Sequence, residues 1–370
     1  MSRTFSKRMS LILGSIVFLV MMLPIGMAIV GQLVKGNPSD QTSEKEVGKG
    51  LMLAIAYSAS IGGFATLIGT PPNLVLAGII EELYGVKLSF FDWMKFGFPV
   101  SMVLLIICWI YLTSYAFDCK KVKFPGGKNE LNKMLKGLGR ISYEEKWVLM
   151  IFAITAAAWI LRPLIQKLVP GVDDAVIALI GAISLFIFPN KVRSRSLITW
   201  EEAVKLPWGI ILLFGGGMAL AKGFGTTGLA EWIAGKMGLM NGMSMIVMIL
   251  ILVAIVNFLT EITSNLATTA MLLPVLAPLA MSFNAHPFMF MVPVAVAASC
   301  AFMLPVATPP NAVVFGSGYF TIPDMVKVGF WMNIFSIILI TVVCYLILPP
   351  IWNIEPEIFP EAFKQPRYIP

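Results

Sequence analysis

Charged side chains are scarce in this chain of 370 residues, in which Asp, Glu, Lys and Arg together make up 13%. A soluble domain carries roughly a quarter charged residues. Hydrophobic residues account for 58%, mean hydropathy is +0.85, and several apolar runs reach the length of about 20 residues that crosses a bilayer as a helix. The alternating short strands of a membrane β-barrel are missing. The composition therefore predicts an all-α, multi-pass membrane protein.

The residues that most enzymes and metal centres need are also few. His286 is the only histidine, and it falls in a polar stretch that we expect to be a solvated outer loop. The four cysteines are scattered without a C-x-x-C pair, which argues against disulfide and zinc sites. Gly215-Gly216-Gly217 is not followed by the Lys-Ser/Thr of a phosphate-binding Walker A loop. We expect neither an enzyme nor an organic cofactor.

Positive charge exceeds negative charge by +7, yet the basic residues lie in short loops between apolar runs. Residues 120–146 carry eight Lys/Arg against three acids, and residues 191–205 are again basic. This pattern follows the positive-inside rule of membrane proteins and does not form a nucleic-acid-binding face. We expect both loops to be cytoplasmic, the partner to be the lipid bilayer, and the location to be the inner (cytoplasmic) membrane.

Two apolar runs contain the same interruption. Residues 51–80 include Thr70-Pro71-Pro72-Asn73, and residues 292–320 include Thr308-Pro309-Pro310-Asn311. Two consecutive prolines remove two helical N–H donors, and the threonine before them is pushed out of the α region. Freed carbonyl groups survive at membrane depth only where protein, water or an ion satisfies them. Two broken helices at corresponding positions of two halves indicate the binding site of a transporter.

The flanking sequence also repeats. Asp92-x-x-Lys95-x-Gly97 follows the first break, and Asp324-x-x-Lys327-x-Gly329 follows the second. Because we place the loop after the first break outside and the loop after the second inside, the copies have opposite orientation, as in alternating-access carriers. The expected organisation is a first inverted-repeat portion, a cytoplasmic basic loop, scaffold helices, a second portion and a C-terminal tail: residues 1–118, 119–146, 147–242, 243–350 and 351–370.

A cluster of polar residues precedes the second break. The six residues from Thr260 to Asn265 contain five polar side chains inside an apolar stretch too short for two spans. This pattern predicts a re-entrant hairpin with its tip at Ser264-Asn265. Its oxygen donors suit a hard cation such as Na⁺, and amide N–H groups at a half-helix start suit an anion. Alternatively, these side chains only join helices to each other, and Glu261 lies either at a functional site or at the outer interface.

The segment Ser58-Ala-Ser-Ile-Gly-Gly-Phe-Ala-Thr-Leu-Ile-Gly-Thr-Pro-Pro-Asn73 resembles the divalent-anion/sodium symporters. Residues 260–274 and 304–311 are similar to second-half motifs of that family, and the resemblance covers residues 51–348. It implies an elevator-type carrier, usually a homodimer, that takes up C4-dicarboxylates, citrate or sulfate with Na⁺.

The resemblance also implies site residues. The expected ligands of one Na⁺ are Thr260, Thr263, Asn265 and Ala307. The expected substrate-binding residues are Ser264, Asn265, Leu266, Thr70, Pro71, Thr308 and Pro309. Gly69 is the expected ligand of a second Na⁺, whose other ligands should come from a Ser-Asn-Thr tip in the first half.

That first tip departs from the family pattern. It falls at Gly14-Ser15-Ile16, where only Ser15 is polar. Family members also usually extend further at the N-terminus, so we expect a truncated or mis-started chain in which residues 11–30 form a retained span or, less in keeping with their flanks, a signal sequence. The prediction is Na⁺-coupled symport of a small dianion. The alternatives are an anion exchanger without Na⁺ coupling and a truncated chain that does not transport.

Overall fold

The computed structural model describes residues 41–117, 141–190, 195–204 and 242–363, together with a few single positions elsewhere. The predicted span at residues 11–30, the predicted first tip at Gly14-Ser15-Ile16, most of the basic loop 120–146 and most of residues 206–239 lie outside these described ranges.

Helices dominate the described residues, and the β-structure seen there is one antiparallel pair, β1 (Pro189–Asn190) and β2 (Arg195–Ser196). In chain order the α-helices are α1 (Gln41–Phe64), α2 (Pro71–Tyr84), α3 (Phe90–Tyr111), α4 (Tyr143–Ile160), α5 (Arg162–Leu168), α6 (Asp174–Ile187), α7 (Trp200–Ala203), α8 (Met245–Leu259), α9 (Asn265–Ser282), α10 (Phe288–Ala298), α11 (Pro309–Phe315), α12 (Ile322–Leu346) and α13 (Leu348–Trp352). A π-helix, Leu112–Ala116, continues α3, and a 3₁₀ turn covers Glu361–Phe363.

The chain divides into two compact units. The smaller unit contains α4 to α7 and the strand pair, and within it α4 packs against α6. The larger unit contains α1, α2, almost all of α3, and α8 to α13. Its centre is α10, in which all eleven residues are buried and which packs against α2, α8, α9 and α12. A helix that is apolar on every side is stable only when other helices surround it.

Both predicted helix breaks are present. Residues 65–70 separate α1 from α2, and residues 299–308 separate α10 from α11. In each case the new helix begins at the first proline, where the missing N–H costs nothing because no helical partner exists there. The threonine before it is extended, with φ −144° at Thr70 and −138° at Thr308, as a residue before proline must be.

Several predicted boundaries are wrong. The apolar run 147–168, whose length predicts a single span, forms two helices, α4 and α5, bent by 77° at Leu161, because Pro163 lacks an N–H and its ring clashes with the preceding helical turn. The polar residues 35–49, which the sequence predicts to be a loop or a surface helix, are helical from Gln41 onward, whereas α3 starts at Phe90, inside the short polar connection predicted for residues 81–95. His286 is not solvated: it is 5% exposed and its ring lies edge-on to Phe288.

Three described helical segments are long and apolar enough to cross a membrane: Phe90–Ala116, Asn265–Ser282 and Ile322–Leu346. The bent pair Tyr143–Ile160 and Arg162–Leu168 makes a fourth if it counts as one span. The turn 260–264 joins α8 to α9 at the place where the re-entrant hairpin is predicted, and both helices pack against α10. Its re-entry into the membrane stays a prediction.

Candidate functional site

Asn73 stabilises the first break through hydrogen bonds to the backbone. Its backbone N–H bonds to the carbonyl of Thr70 at 3.2 Å, and its side-chain amide donates to the carbonyls of Thr66 at 2.8 Å and Phe64 at 3.5 Å. The Trp93 indole N–H donates to the same Phe64 carbonyl at 2.9 Å. These carbonyls belong to the end of α1 and to the turn after it, where a helix end leaves carbonyl groups without helical donors. A buried asparagine therefore supplies the missing hydrogen bonds.

Asn311 does the same at the second break, 238 residues later. Its side-chain amide donates to the carbonyls of Ala301 at 3.1 Å and Leu304 at 3.0 Å, while its backbone N–H bonds to the Thr308 hydroxyl at 3.3 Å. Both asparagines are 0% exposed. The repeated T-P-P-N motif is thus one structural device used twice: threonine ends one segment, the prolines prevent continuation, and asparagine satisfies the carbonyls left behind.

Glycines let neighbouring helices approach both breaks. A Cβ at Gly97 in α3 would lie 2.7 Å from the Phe64 carbonyl oxygen, and one at Gly329 in α12 would overlap the Phe302 carbonyl. Within the first break, a Cβ at Gly69 would overlap the carbonyl of Gly63. The two helix glycines are the last members of the repeated Asp-x-x-Lys-x-Gly pattern. The pattern places a surface without side chains against each break, which permits close backbone contact.

Glu261 is buried within the protein at 3% exposure. Its carboxylate accepts hydrogen bonds from the backbone N–H groups of Phe302 and Met303 at 2.8 and 2.9 Å on one oxygen, and of Leu304 at 2.9 Å on the other. The Asn333 amide donates to it at 2.7 Å. A buried carboxylate is costly unless such donors surround it. Glu261 therefore ties the turn 260–264 to the second break.

The first break also contacts the second. The hydroxyl of Tyr57 in α1 donates to the Phe302 carbonyl at 2.9 Å, and the Thr70 and Ser299 hydroxyl oxygens lie 3.3 Å apart. The Tyr57 and Phe302 rings meet edge to face, with centroids 5.0 Å apart. The structure thus brings together three of the segments that the sequence singles out: both breaks and the turn before α9.

The predicted ligands in that turn differ in exposure. Thr260 is 0% exposed and donates its hydroxyl to the Asn257 carbonyl at 3.1 Å, whereas Thr263 and Ser264 are exposed. The Thr263 hydroxyl lies 2.7 Å from that of Thr268, and Ser264 is the N-cap of α9, weakly accepting the Ala267 N–H at 3.5 Å. The start of α9 thus combines an exposed hydroxyl with the positive end of a helix dipole.

Unpaired amide oxygens mark the same region. The side-chain oxygens of four asparagines are buried and have no hydrogen-bond partner within the described ranges: Asn73, Asn257, Asn265 and Asn311. A buried polar atom without a partner is rare in proteins and calls for an explanation such as a bound ion or water. Amide oxygens are hard ligands suited to an alkali cation. For Asn265, a predicted Na⁺ ligand, the unpaired oxygen is what that role requires.

The remaining predicted residues lie on the same segments. Gly69, Thr70 and Pro71 lie at the first break; Ala307 and Thr308 are buried at the second, where Pro309 is exposed. Leu266 is buried in the first turn of α9, at 8% exposure. No direct contact joins Ala307 or Gly69 to the turn 260–264 in the described hydrogen-bond network, and their roles as ligands stay predictions.

Sequence reasoning missed Tyr57, Asn257 and Asn333. The Asn257 amide donates to the Cys300 carbonyl at 2.6 Å and to the Ser336 hydroxyl at 3.2 Å, so it supports the second break from α8. A single asparagine in the apolar run 244–259 is a signal that could have identified it. Tyr57 has no such signal, because a tyrosine in an apolar helix is ordinary.

Comparison with known proteins agrees with this architecture. A family model described as "Sodium:sulfate symporter transmembrane region" matches residues 9–352. A protein named sodium-dependent dicarboxylate transporter SdcS from Staphylococcus saprophyticus is 43% identical over 354 residues, which cover 94% of this chain and 68% of the relative. The SdcS protein of Staphylococcus aureus strain USA300 is 43% identical over 355 residues, with the same shares covered.

Proposed function

Because this chain belongs to the divalent anion/sodium symporter family of membrane transporters, we propose that it carries small dicarboxylates across the cytoplasmic membrane together with Na⁺. The observation that supports the proposal most directly is the meeting of both breaks with the turn before α9. Thr70 contacts Ser299, and Glu261 bonds to the backbone at Phe302. The relatives' names support Na⁺ as the coupling ion and a dicarboxylate as the substrate.

One Na⁺ binds, in this proposal, between the turn 260–264 and the second break. Its ligands are Thr260, Thr263, Asn265 and Ala307. The support is the buried, unpaired side-chain oxygen of Asn265 and the hydrogen bonds that the backbone of the second break donates to Glu261, which hold that break beside the turn. The carboxylate adds negative charge near the cation, which favours binding in a low-dielectric site. A second Na⁺ binds at the first break, with Gly69 as a ligand.

The dicarboxylate binds at the start of α9, where Ser264, Asn265 and Leu266 lie. Helices α2 and α11 offer fewer amide donors, because each begins with two prolines and its third N–H is already bonded to Thr70 or Thr308. Helix α9 has no proline in its first turn and presents N–H groups to an anion. Thr70, Pro71, Thr308 and Pro309 close the other sides of the site.

The proposal includes alternating access by two inverted repeats in an elevator-type homodimer. Its support is the equivalence of contacts at the two breaks: Asn73 and Gly97 contact the first break as Asn311 and Gly329 contact the second. Repeats of opposite orientation around one central site exchange their conformations when the carrier opens to the other side.

Reconstitution in vesicles tests this function. The full chain should take up labelled succinate with an inward Na⁺ gradient and not with the same gradient of K⁺. Ser264→Ala should raise the KM for succinate, whereas Ser282→Ala, at the opposite end of α9, should leave it unchanged. Equal uptake in Na⁺ and K⁺ refutes the coupling. Uptake that needs succinate inside and no Na⁺ identifies an exchanger instead.

A further inference from the structure

A cavity separate from the breaks opens between the end of α3, the first half of α12 and the beginning of α1. Its volume is about 670 Å³. The segments Phe90–Ala116 and Ile322–Leu346 that form two of its walls are candidate membrane spans. Many side chains on these walls are exposed, among them Ile110 at 43% and Trp331 at 51%. The exposed apolar side chains of two candidate membrane spans are suited to contact with lipid.

The lining of this cavity changes from polar to apolar in the same direction on both walls. Along α12 the lining runs from Asp324 and Lys327 to Trp331 and Phe335. Along α3 and the π-helix, read backwards, it runs from Tyr115 through Tyr111 to Ile110 and Ile107. The α12 lining covers eleven residue steps, or roughly 16 Å of helix. One end of the cavity is therefore polar and the other hydrocarbon-like.

Contacts across the cavity fix this register. The Tyr111 hydroxyl donates to the Val328 carbonyl at 3.2 Å, and its ring packs edge to face on Phe335 with centroids 5.4 Å apart. The polar ends of the two walls consequently lie side by side. Exposed Tyr115, at 80%, and Trp331 have the amphipathic rings that concentrate at the lipid headgroup level.

The polar end holds two acids and two lysines, of which Lys327 is the one without an ion pair within the described ranges. Lys49 bonds to Asp324 at 3.2 Å and to Glu46 at 3.4 Å, so its charge is compensated. Lys327 is exposed and has no acidic partner within the described ranges. In the sequence, Lys120, Lys121 and Lys123 follow closely after the π-helix. Because the sequence predicts this lysine-rich loop to be cytoplasmic, we assign the polar end to the cytoplasmic leaflet, which presents anionic headgroups.

We propose that this cavity binds one anionic phospholipid of the cytoplasmic leaflet, with its phosphate at Lys327 and an acyl chain along Ile107, Trp331 and Phe335. A soluble anion would leave the apolar half of the cavity exposed. A zwitterionic lipid would fill that half but gain less from the uncompensated lysine. Each basic residue near an anionic membrane surface contributes a factor of about five in affinity.

Native mass spectrometry of the delipidated full chain tests the proposal. The chain is offered equal amounts of phosphatidylglycerol and phosphatidylcholine, and the lipids retained on the protein are counted. We expect the wild type to retain phosphatidylglycerol preferentially, and K327Q to reduce that preference about fivefold. The matched control is K95Q, at the equivalent position of the first repeat, where Asp92 already pairs with the lysine at 2.9 Å. K95Q should leave the preference unchanged.

Two further measurements distinguish the occupant. W331A should lower retention of both lipids, because it removes an apolar side chain from the cavity wall. Soluble glycerol phosphate should not displace the bound lipid. Equal retention of both lipids by the wild type, or equal effects of K327Q and K95Q, overturns the proposal. Displacement by glycerol phosphate would show a site for a soluble anion. A changed oligomeric state of W331A with unchanged lipid retention would show a protein interface. Either result also overturns the proposal.

Discussion

The hydroxyl of Tyr57 donates a hydrogen bond of 2.9 Å to the carbonyl oxygen of Phe302, 245 residues further along the chain. This bond joins the helix before the first break to the backbone of the second. Both residues are 0% exposed. In the interior of the larger unit, a carbonyl that loses its donor has no water to replace it.

Tyr57→Phe should therefore destabilise the protein by about 1–3 kcal/mol, the cost of an unsatisfied buried group. The change keeps the ring contact with Phe302 and removes only the hydroxyl. Thermal unfolding in detergent micelles measures the effect. Tyr115→Phe is the matched control, because Tyr115 is 80% exposed and should tolerate the same change. Equal unfolding midpoints for the two variants would contradict this role of the bond.

Glu261→Gln should weaken Na⁺ binding. The amide group retains the shape of the side chain but puts N–H donors where three backbone N–H groups and Asn333 also donate. Hydrogen bonds to a charged group contribute about 1.5–3 kcal/mol, so we expect the half-saturating Na⁺ concentration for uptake to rise about tenfold. The control is Glu357→Gln, at an exposed position of the C-terminal segment. An unchanged Na⁺ dependence would remove Glu261 from the binding machinery.

Gly97→Ala and Gly329→Ala should both reduce transport and stability. Each new methyl group would meet the backbone of a break, at Phe64 or at Phe302, and backbone cannot move aside as a flexible side chain can. Gly62→Ala is the control inside α1, since a Cβ there has no neighbour within 4 Å. It should be neutral or stabilise by roughly 0.5–1 kcal/mol through helix propensity. Uptake assays and thermal unfolding of all three variants would check this, and similar results for all would disprove the close approach.

Stability should fall in acid because of His286. Burial among aromatic rings lowers the pKa of His286 from 6.5 to about 4. His286 is therefore protonated below about pH 6.5 in the unfolded chain, but only below about pH 4 in the folded protein. The free energy of unfolding is unaffected by His286 above pH 6.5 and decreases by up to about 3 kcal/mol as the pH falls toward 4. Thermal unfolding of the wild type and of His286→Gln measures it. The variant should show the smaller loss, and parallel curves would contradict the prediction.

The positions of the breaks could be predicted from sequence because proline acts locally. A residue without an N–H interrupts a helix wherever it stands, and the threonine before it becomes extended in any context. Asn73 and Asn311 could be recognised as part of the motif for the same reason. What they do there, donating to the carbonyls of Thr66 or Leu304, became visible only with the path of the chain after α1 and α10.

The long-range partners could not be predicted. Whether Glu261 faces the outer interface or the interior depends on where residues 302–304 pass, 41 to 43 positions away, and nothing in the local sequence specifies that path. The same holds for Tyr57, whose acceptor lies in the other half of the chain. The bend between α4 and α5 was not predicted for a different reason. Pro163 is a local signal for it, but the prediction gave more weight to the apolar character of residues 147–168.

The asparagine side chains at the two breaks have a consequence for the resting protein. Since Asn73, Asn311 and Glu261 already satisfy the backbone at both kinks, the interrupted helices keep their shape without cargo. A carrier with such helices does not have to refold its binding-site backbone before each substrate binds. In the proposed alternating-access cycle, the free energy released when substrate binds would remain available to shift the site from one side of the bilayer to the other.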